Sequence, residues 1–181
     1  MEKKHALVIG GTGMLAQVSS WLASNFDTVS VIGRSEKKLD RLKKKAQDMN
    51  RINKLVVDYY ELATLETKLK KAIEEHGPIT LVVCWSPYYP AVEMVSRLIS
   101  EKMDSWQLYH VKGSRRYFED EAIRLPPACR YRQIYLGFVL TKDKARWLTH
   151  DEITDGVRKS IEKEEDTVVV GTIHPYDKRP Q

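Results

Sequence analysis

The sequence predicts an α/β fold: one domain, built as a three-layer, doubly wound parallel sheet of about seven strands with helices on both faces. Three observations carry this expectation. Short apolar runs alternate with amphipathic segments from one end of the chain to the other. Several runs are apolar throughout, as strands buried on both faces are. A glycine-rich turn joins the first run to the first helical segment.

Each element follows from its residues. Ala6-Leu7-Val8-Ile9 is a short buried strand. Met14 to Asn25 reads as a helix with Leu15, Val18 and Leu22 on one side. Thr28–Ile32 is a second strand, and Glu36–Met49 a charged helix with Leu39 and Leu42 inward. Lys54–Val57 is the third strand and Leu62–Glu75 the third helix, stopped by Gly77-Pro78. Ile79–Trp85 is the fourth strand, and Pro90 suits the first turn of a helix to about Lys102.

Trp106–Val111 gives a fifth strand, Arg115–Arg124 a short helix ended by Pro126-Pro127, and Arg130–Leu140 a sixth strand. Thr149 to Glu152 has capping-box spacing and opens a helix to about Lys163. Thr167–Thr172 is a seventh strand. Residues 1–174 thus form one domain, and 175–181 a loose polar tail. Right-handed crossovers would put the helices on both faces.

With 181 residues the chain suits a single domain and can bury a core without disulfides or metals. Its 42% hydrophobic and 30% charged residues are ordinary for a globular protein. The net charge of +5 favours anionic partners such as phosphates. Cys84 and Cys129 make no disulfide framework, so reduced thiols and a cytoplasmic location are expected. No apolar run approaches the roughly 20 residues of a bilayer span, so no membrane partner is expected. Lys3-Lys4 ahead of Ala6–Ala16 has the outline of a signal peptide, but glycines interrupt the stretch at spacings with a better explanation.

That explanation is a dinucleotide site. In Gly10-Gly11-Thr12-Gly13-Met14-Leu15-Ala16, Gly10 allows a tight turn and Gly13 leaves room for a pyrophosphate. Ala16 is small enough for the helix to pack on the strand, and the helix N-terminus offers N–H groups to phosphate. Strand, turn and helix fall in the order that a Rossmann-like domain requires, against the alternative of a turn without a ligand. The second strand ends in Gly33-Arg34-Ser35, with no acid for ribose hydroxyls. Arg34 can pair with the 2′-phosphate of NADP(H), and Ser35 can add a hydroxyl or cap the next helix. The alternative for Arg34 is an exposed loop charge.

Beyond the third strand, Asp58-Tyr59 lies where a cofactor's adenine would sit, although Asp58 serves equally well as a helix cap. Cys84-Trp85-Ser86 ends the fourth strand and should line the cofactor. Trp85 serves equally well in the core, and Cys84 reads better as a small buried hydrophobe than as a nucleophile.

These residues resemble the short-chain dehydrogenase/reductase family. Gly10-x-x-Gly13-x-x-Ala16 is similar to its cofactor turn, and Gly33-Arg34-Ser35 to the ending in its NADP-using members. Asp58 falls where the family places an adenine-binding Asp. Tyr135-Leu136-Gly137-Phe138-Val139 resembles the strand-to-loop segment near the nicotinamide, which implicates Gly137. Trp147-Leu148-Thr149-His150-Asp151-Glu152-Ile153 resembles the family's late helix start. The resemblance implies NADP(H)-dependent oxidoreduction of a small carbonyl or alcohol, and a dimer.

The departures are as informative. None of the nine tyrosines has lysine four residues later, so the family's Tyr-x-x-x-Lys pair is missing. The segment between Ser114 and Tyr131 is too short for the long helix that carries it. A carbonyl reductase still needs a proton donor. The candidates are His110, Lys112 and Ser114 after the fifth strand, with Tyr88, Tyr89, Tyr109 and Tyr117 nearby; each taken singly reads more readily as a packing or solvent-facing group. His110 and Lys112 share one strand face.

Other chemistry finds no pattern. The five histidines are scattered, so no metal is expected. The glycine turn lacks a Walker ending, and no nucleophile elbow occurs. The basic run from Lys37 to Lys45 contains no aromatic residue, so a solvated helix face is expected rather than nucleic acid. The sequence thus predicts an NADP(H)-dependent oxidoreductase with a non-standard donor. Its rival is an NADP(H)-binding sensor or interaction module without turnover.

Overall fold

A computed structural model describes residues 4–142 and 144–181. The lysine-led start over Met1–Lys3 lies outside them. Strand β1 (His5–Ile9) leads through the glycine turn into helix α1 (Ala16–Ala23). Then follow β2 (Thr28–Gly33), α2 (Glu36–Lys45), β3 (Ile52–Val56) and α3 (Leu62–His76). Next come β4 (Ile79–Cys84), α4 (Tyr89–Ser100), β5 (Trp106–Gly113) and α5 (Arg115–Phe118). The last elements are β6 (Cys129–Leu136), a hairpin β7 (Phe138–Thr141) and β8 (Lys144–Trp147), α6 (His150–Lys163) and β9 (Thr167–Val170).

Seven strands form one parallel sheet in the order β3-β2-β1-β4-β5-β6-β9. The order reverses direction at β1, which pairs Val8 with Val31 on one side and Val83 on the other. A crevice forms beyond the strand ends at such a switch point.

Strict alternation along the strands feeds two apolar layers. Ala6, Val8, Val29, Val31 and Val83 pack with α1, α2 and α6. Leu7, Ile9, Ile32, Val82 and Cys84 pack with α3 and α4. Burial on both faces is why these strands read as continuous apolar runs. The Thr149–Glu152 capping box forms in full: the Thr149 hydroxyl accepts from the Glu152 N–H, and the Glu152 carboxylate accepts from the Thr149 N–H.

Four expectations are corrected. The sixth strand does not run to Leu140. At Gly137 the backbone passes so close to the end of β9 that a Cβ would lie 2.2 Å from the Thr172 carbonyl oxygen. The chain then turns away, and Phe138 starts the antiparallel hairpin with β8. The helix from Arg115 lasts one turn rather than reaching Arg124; Glu119 is already extended. The following loop lays Ile123 and Leu125 against the α3–α4 layer. α2 stops at Lys45, because Ala46 turns extended. The tail is not loose: Tyr176–Lys178 forms a 3-10 turn, and the Tyr176 ring packs on Phe118 with centroids 4.7 Å apart.

Candidate cofactor and substrate cleft

The glycine turn is shaped by what surrounds it. Gly10 has φ +77°, and a Cβ there would meet the Trp85 carbonyl oxygen at 2.6 Å. Only glycine tolerates both conditions. Ser19 Oγ, buried on α1, donates to the carbonyl oxygens of Leu15 and Gly11 at 3.1 and 3.3 Å, tying the turn to the helix. Gly13 is the opposite case. It is exposed, and nothing lies within 4 Å of its Cβ position.

That open space faces the start of α1. Leu15, the cap residue of α1, makes no side-chain cap bond, and no acid stands in the first turn of the helix. The partial positive charge of the helix end is therefore left for a ligand. Leu15 itself is fully buried in the core, so of this expected contact only its backbone remains.

Gly33 lets the turn press on the end of β2: its Cβ would sit 3.0 Å from the Thr12 methyl group. Arg34 follows at once, exposed and without an ion pair among the described residues. Ser35 caps α2, its hydroxyl accepting from the Lys38 N–H at 3.3 Å. Asp58 closes a local turn by accepting from the Tyr60 N–H at 3.0 Å, while Glu61 is the cap residue of α3. Tyr59 lies near Ser86 and Arg34, and partial burial raises its phenol above the usual value.

Trp85 stands between two cavities. The smaller, about 180 Å³, is lined by Tyr59, Ser86, Tyr89, Lys112 and Arg116. The larger, about 430 Å³, runs from Met14 past Ser114 and Gly137. Trp147, Leu148 and His150 close one side of it, and Tyr176 lines it too. A still larger space of about 630 Å³ lies between α3 and α4, at Ile73, Pro78 and Leu98. That one lies by the start of β4, at the opposite end of the strands from the glycine turn.

Two expected side chains are not in the cleft. Cys84 is fully buried in the α3–α4 layer, which corrects its place among the lining groups; burial also raises its thiol far above the usual value. His110 is fully buried as well. Its Nδ1 bonds the Tyr131 hydroxyl at 2.9 Å and its Nε2 the Ser86 carbonyl at 3.1 Å. Burial lowers its pKa to about 4. A neutral ring engaged at both nitrogens has no proton to offer a substrate, so His110 fixes the Ser86 backbone instead.

Lys112 does share the His110 face, but it too is committed. Nζ donates to Asp120 at 2.5 Å and to Gln133 Oε1 at 2.9 Å. It lies 5.5, 5.3 and 5.8 Å from the ring centres of Tyr89, Tyr131 and Tyr135. Burial lowers the amine's pKa while Asp120 opposes the change. Tyr109 points to the other face, its hydroxyl on Gln107. Ser114 alone of the three expected catalytic groups opens on the larger cavity.

The sequence left Trp147 without a role and missed Tyr176 altogether. Trp147 was legible only as the approach to the capping box. Tyr176 sits in a polar tail without periodicity, and no local signal marks it.

No family model matches the chain, and no curated protein matches it. Solved structures do. A beta-ketoacyl-ACP reductase from Bacteroides thetaiotaomicron superposes with TM-score 0.71 at 14% identity, over 94% of this chain and 98% of that one. A short-chain dehydrogenase/reductase from Serratia marcescens gives 0.72 at 13%, over 94% and 98%. A variant of actinorhodin polyketide ketoreductase with NADPH gives 0.73 at 11%, over 96% and 98%. The chain has the fold of the short-chain dehydrogenase/reductases.

Proposed function

We propose that the chain binds NADP(H) in the cleft and reduces a small carbonyl compound or oxidises the corresponding alcohol. The observation that carries the reading is the open space at Gly13 beside the uncapped start of α1. A Cβ would enter that space, and backbone N–H groups with a helix dipole suit a pyrophosphate. The fold supports the reading, and one neighbour's structure contains NADPH.

The residues fit the cofactor part by part. Gly10, Thr12 and Gly13 with the Met14 and Leu15 backbone would hold the pyrophosphate. Arg34, which pairs with no acid among the described residues, would take the 2′-phosphate, with Ser35 beside it. Asp58, Tyr59 and Ser86 would flank the adenosine. Trp85, Met14 and Gly137 would line the nicotinamide end. When bound, the reduced nicotinamide supplies a hydride. Ser114 would border the substrate in the larger cavity. Lys112, held by Asp120, puts positive charge at the floor of the smaller one and does not act as an acid.

One observation favours the rival reading, a binding module without turnover: His110 and Lys112 belong to a closed network. The test is NADPH oxidation against a panel of aldehydes and ketones, for the wild type and Ser114→Ala. Turnover that falls in Ser114→Ala supports an enzyme. NADPH binding without oxidation across the panel supports the module.

A further inference from the structure

A carbonyl reduction in this cleft needs a proton at the developing alkoxide, and the groups that face the larger cavity are few. His110 and Lys112 are closed off. Ser114 opens on the cavity, but an alkyl hydroxyl is a far weaker acid than a phenol. His150 also lines the cavity. It is exposed at the first position of α6, and among the described residues nothing bonds its ring.

Tyr176 is different. The Ser114 hydroxyl donates to the Tyr176 phenol oxygen at 3.4 Å. With Ser114 as the donor of this pair, the phenol's own proton turns toward the cavity that Tyr176 lines. Such bonds are often long before substrate binds and shorten with it. The ring is held from two sides: Phe118 packs on it, and the Arg179 guanidinium stands 4.4 Å from its centre. Arg179 also donates to the Tyr176 carbonyl oxygen at 3.1 Å, fixing the turn that presents the ring. Arg115 lines the same cavity and adds positive charge to its wall.

We propose that Tyr176, carried into the cleft by the C-terminal 3-10 turn and oriented by Ser114, is the proton donor of this site. Tyr176 has this role only on the NADP(H) reading above. The carbonyl carbon takes a hydride from the reduced nicotinamide cofactor, and its oxygen takes the Tyr176 proton. Alcohol, oxidised cofactor and tyrosinate result, and the tyrosinate regains a proton from water in the open cavity. Ser114 is the positioning residue, since its hydroxyl bond to the phenol oxygen strengthens as charge develops there.

The test uses the full chain with Tyr176→Phe, which keeps the ring and its packing. NADPH affinity by calorimetry should stay at the wild-type value while carbonyl reduction falls by about 100-fold or more. A second readout needs no turnover. Oxidised nicotinamide is positive and the reduced ring neutral. NADP⁺, but not NADPH, should therefore bring up the tyrosinate ultraviolet band at lower pH in the wild type, and not in Tyr176→Phe. Unchanged turnover in Tyr176→Phe overturns the role, as does turnover lost in His150→Gln but kept in Tyr176→Phe. So does NADP⁺ binding without a Tyr176-dependent tyrosinate band, even where no substrate turns over. A wild type that binds neither cofactor form overturns the NADP(H) reading itself.

Discussion

Lys112 and Asp120 form an ion pair of 2.5 Å on the sheet face beside β6, where the segment after β5 is too short to lay a long helix. The Lys112 side chain keeps 3% of its exposure and Asp120 23%. Tyr89 donates to the second Asp120 oxygen at 2.5 Å, and Arg116 lies 3.3 Å from the same oxygen. For Asp120, burial raises the carboxyl, but the bonds from Lys112 and Tyr89 outweigh it and hold the pKa below the usual range. One carboxylate on a loop thus anchors groups from α4, β5 and α5.

Asp120→Asn strands a lysine inside that cluster. Losing one partner of a fully buried pair costs about 3–5 kcal/mol; the partial exposure of Asp120 reduces this to about 2 kcal/mol. Urea denaturation should show the loss. Lys112→Met in the Asp120→Asn background should recover part of it, because no charge is then left unpaired.

Arg34→Ala should weaken NADP(H) by about 10- to 100-fold, the value of a charge-assisted phosphate contact, and leave NAD(H) nearly unchanged. Titration of the variant with both cofactors checks this. Equal weakening of both would contradict the 2′-phosphate role.

Gly13→Val should abolish binding of both cofactors in a folded protein, because the branched side chain enters the open space at the turn. Gly10→Ala should act on the fold as well. A Cβ at φ +77° and 2.6 Å from the Trp85 carbonyl oxygen should lower the melting temperature.

What was legible in the sequence depended on which residues carry their requirement locally. The sheet and its helices could be read because strands buried on both faces are apolar throughout, whatever their neighbours. The turn at Gly10 and Gly13 could be read because its backbone demands are local. Gly137 was noted for a ligand, yet its close approach to Thr172 is a contact with a distant strand. Without that contact in view, Phe138–Leu140 reads as more of β6. Cys84 and His110 were placed near the cleft by their positions in the chain, while strand alternation turns both side chains into the α3–α4 side of the sheet. Tyr176 reaches Ser114 only through the docking of the tail, which no local pattern announces.

The buried histidines make stability depend on acid. Burial lowers His5 and His110 from 6.5 to about 4. Both are neutral in the fold, with His5 bonded to the Gly77 carbonyl and to Ser30. The unfolded chain binds protons first as pH falls. Their contribution is therefore complete above about pH 6.5 and is lost as pH falls through about 4. The urea midpoint should fall across that window, less steeply in His110→Gln. An equal slope in the variant would contradict a neutral buried His110.

The most direct measurement is calorimetric titration of the purified protein with NADPH and, separately, with NADH. Tight NADPH binding with much weaker NADH binding is the expected result, and it would tie the glycine turn and Arg34 to one ligand. Absence of binding for both would contradict the cofactor site, and the oxidoreductase reading would fall with it.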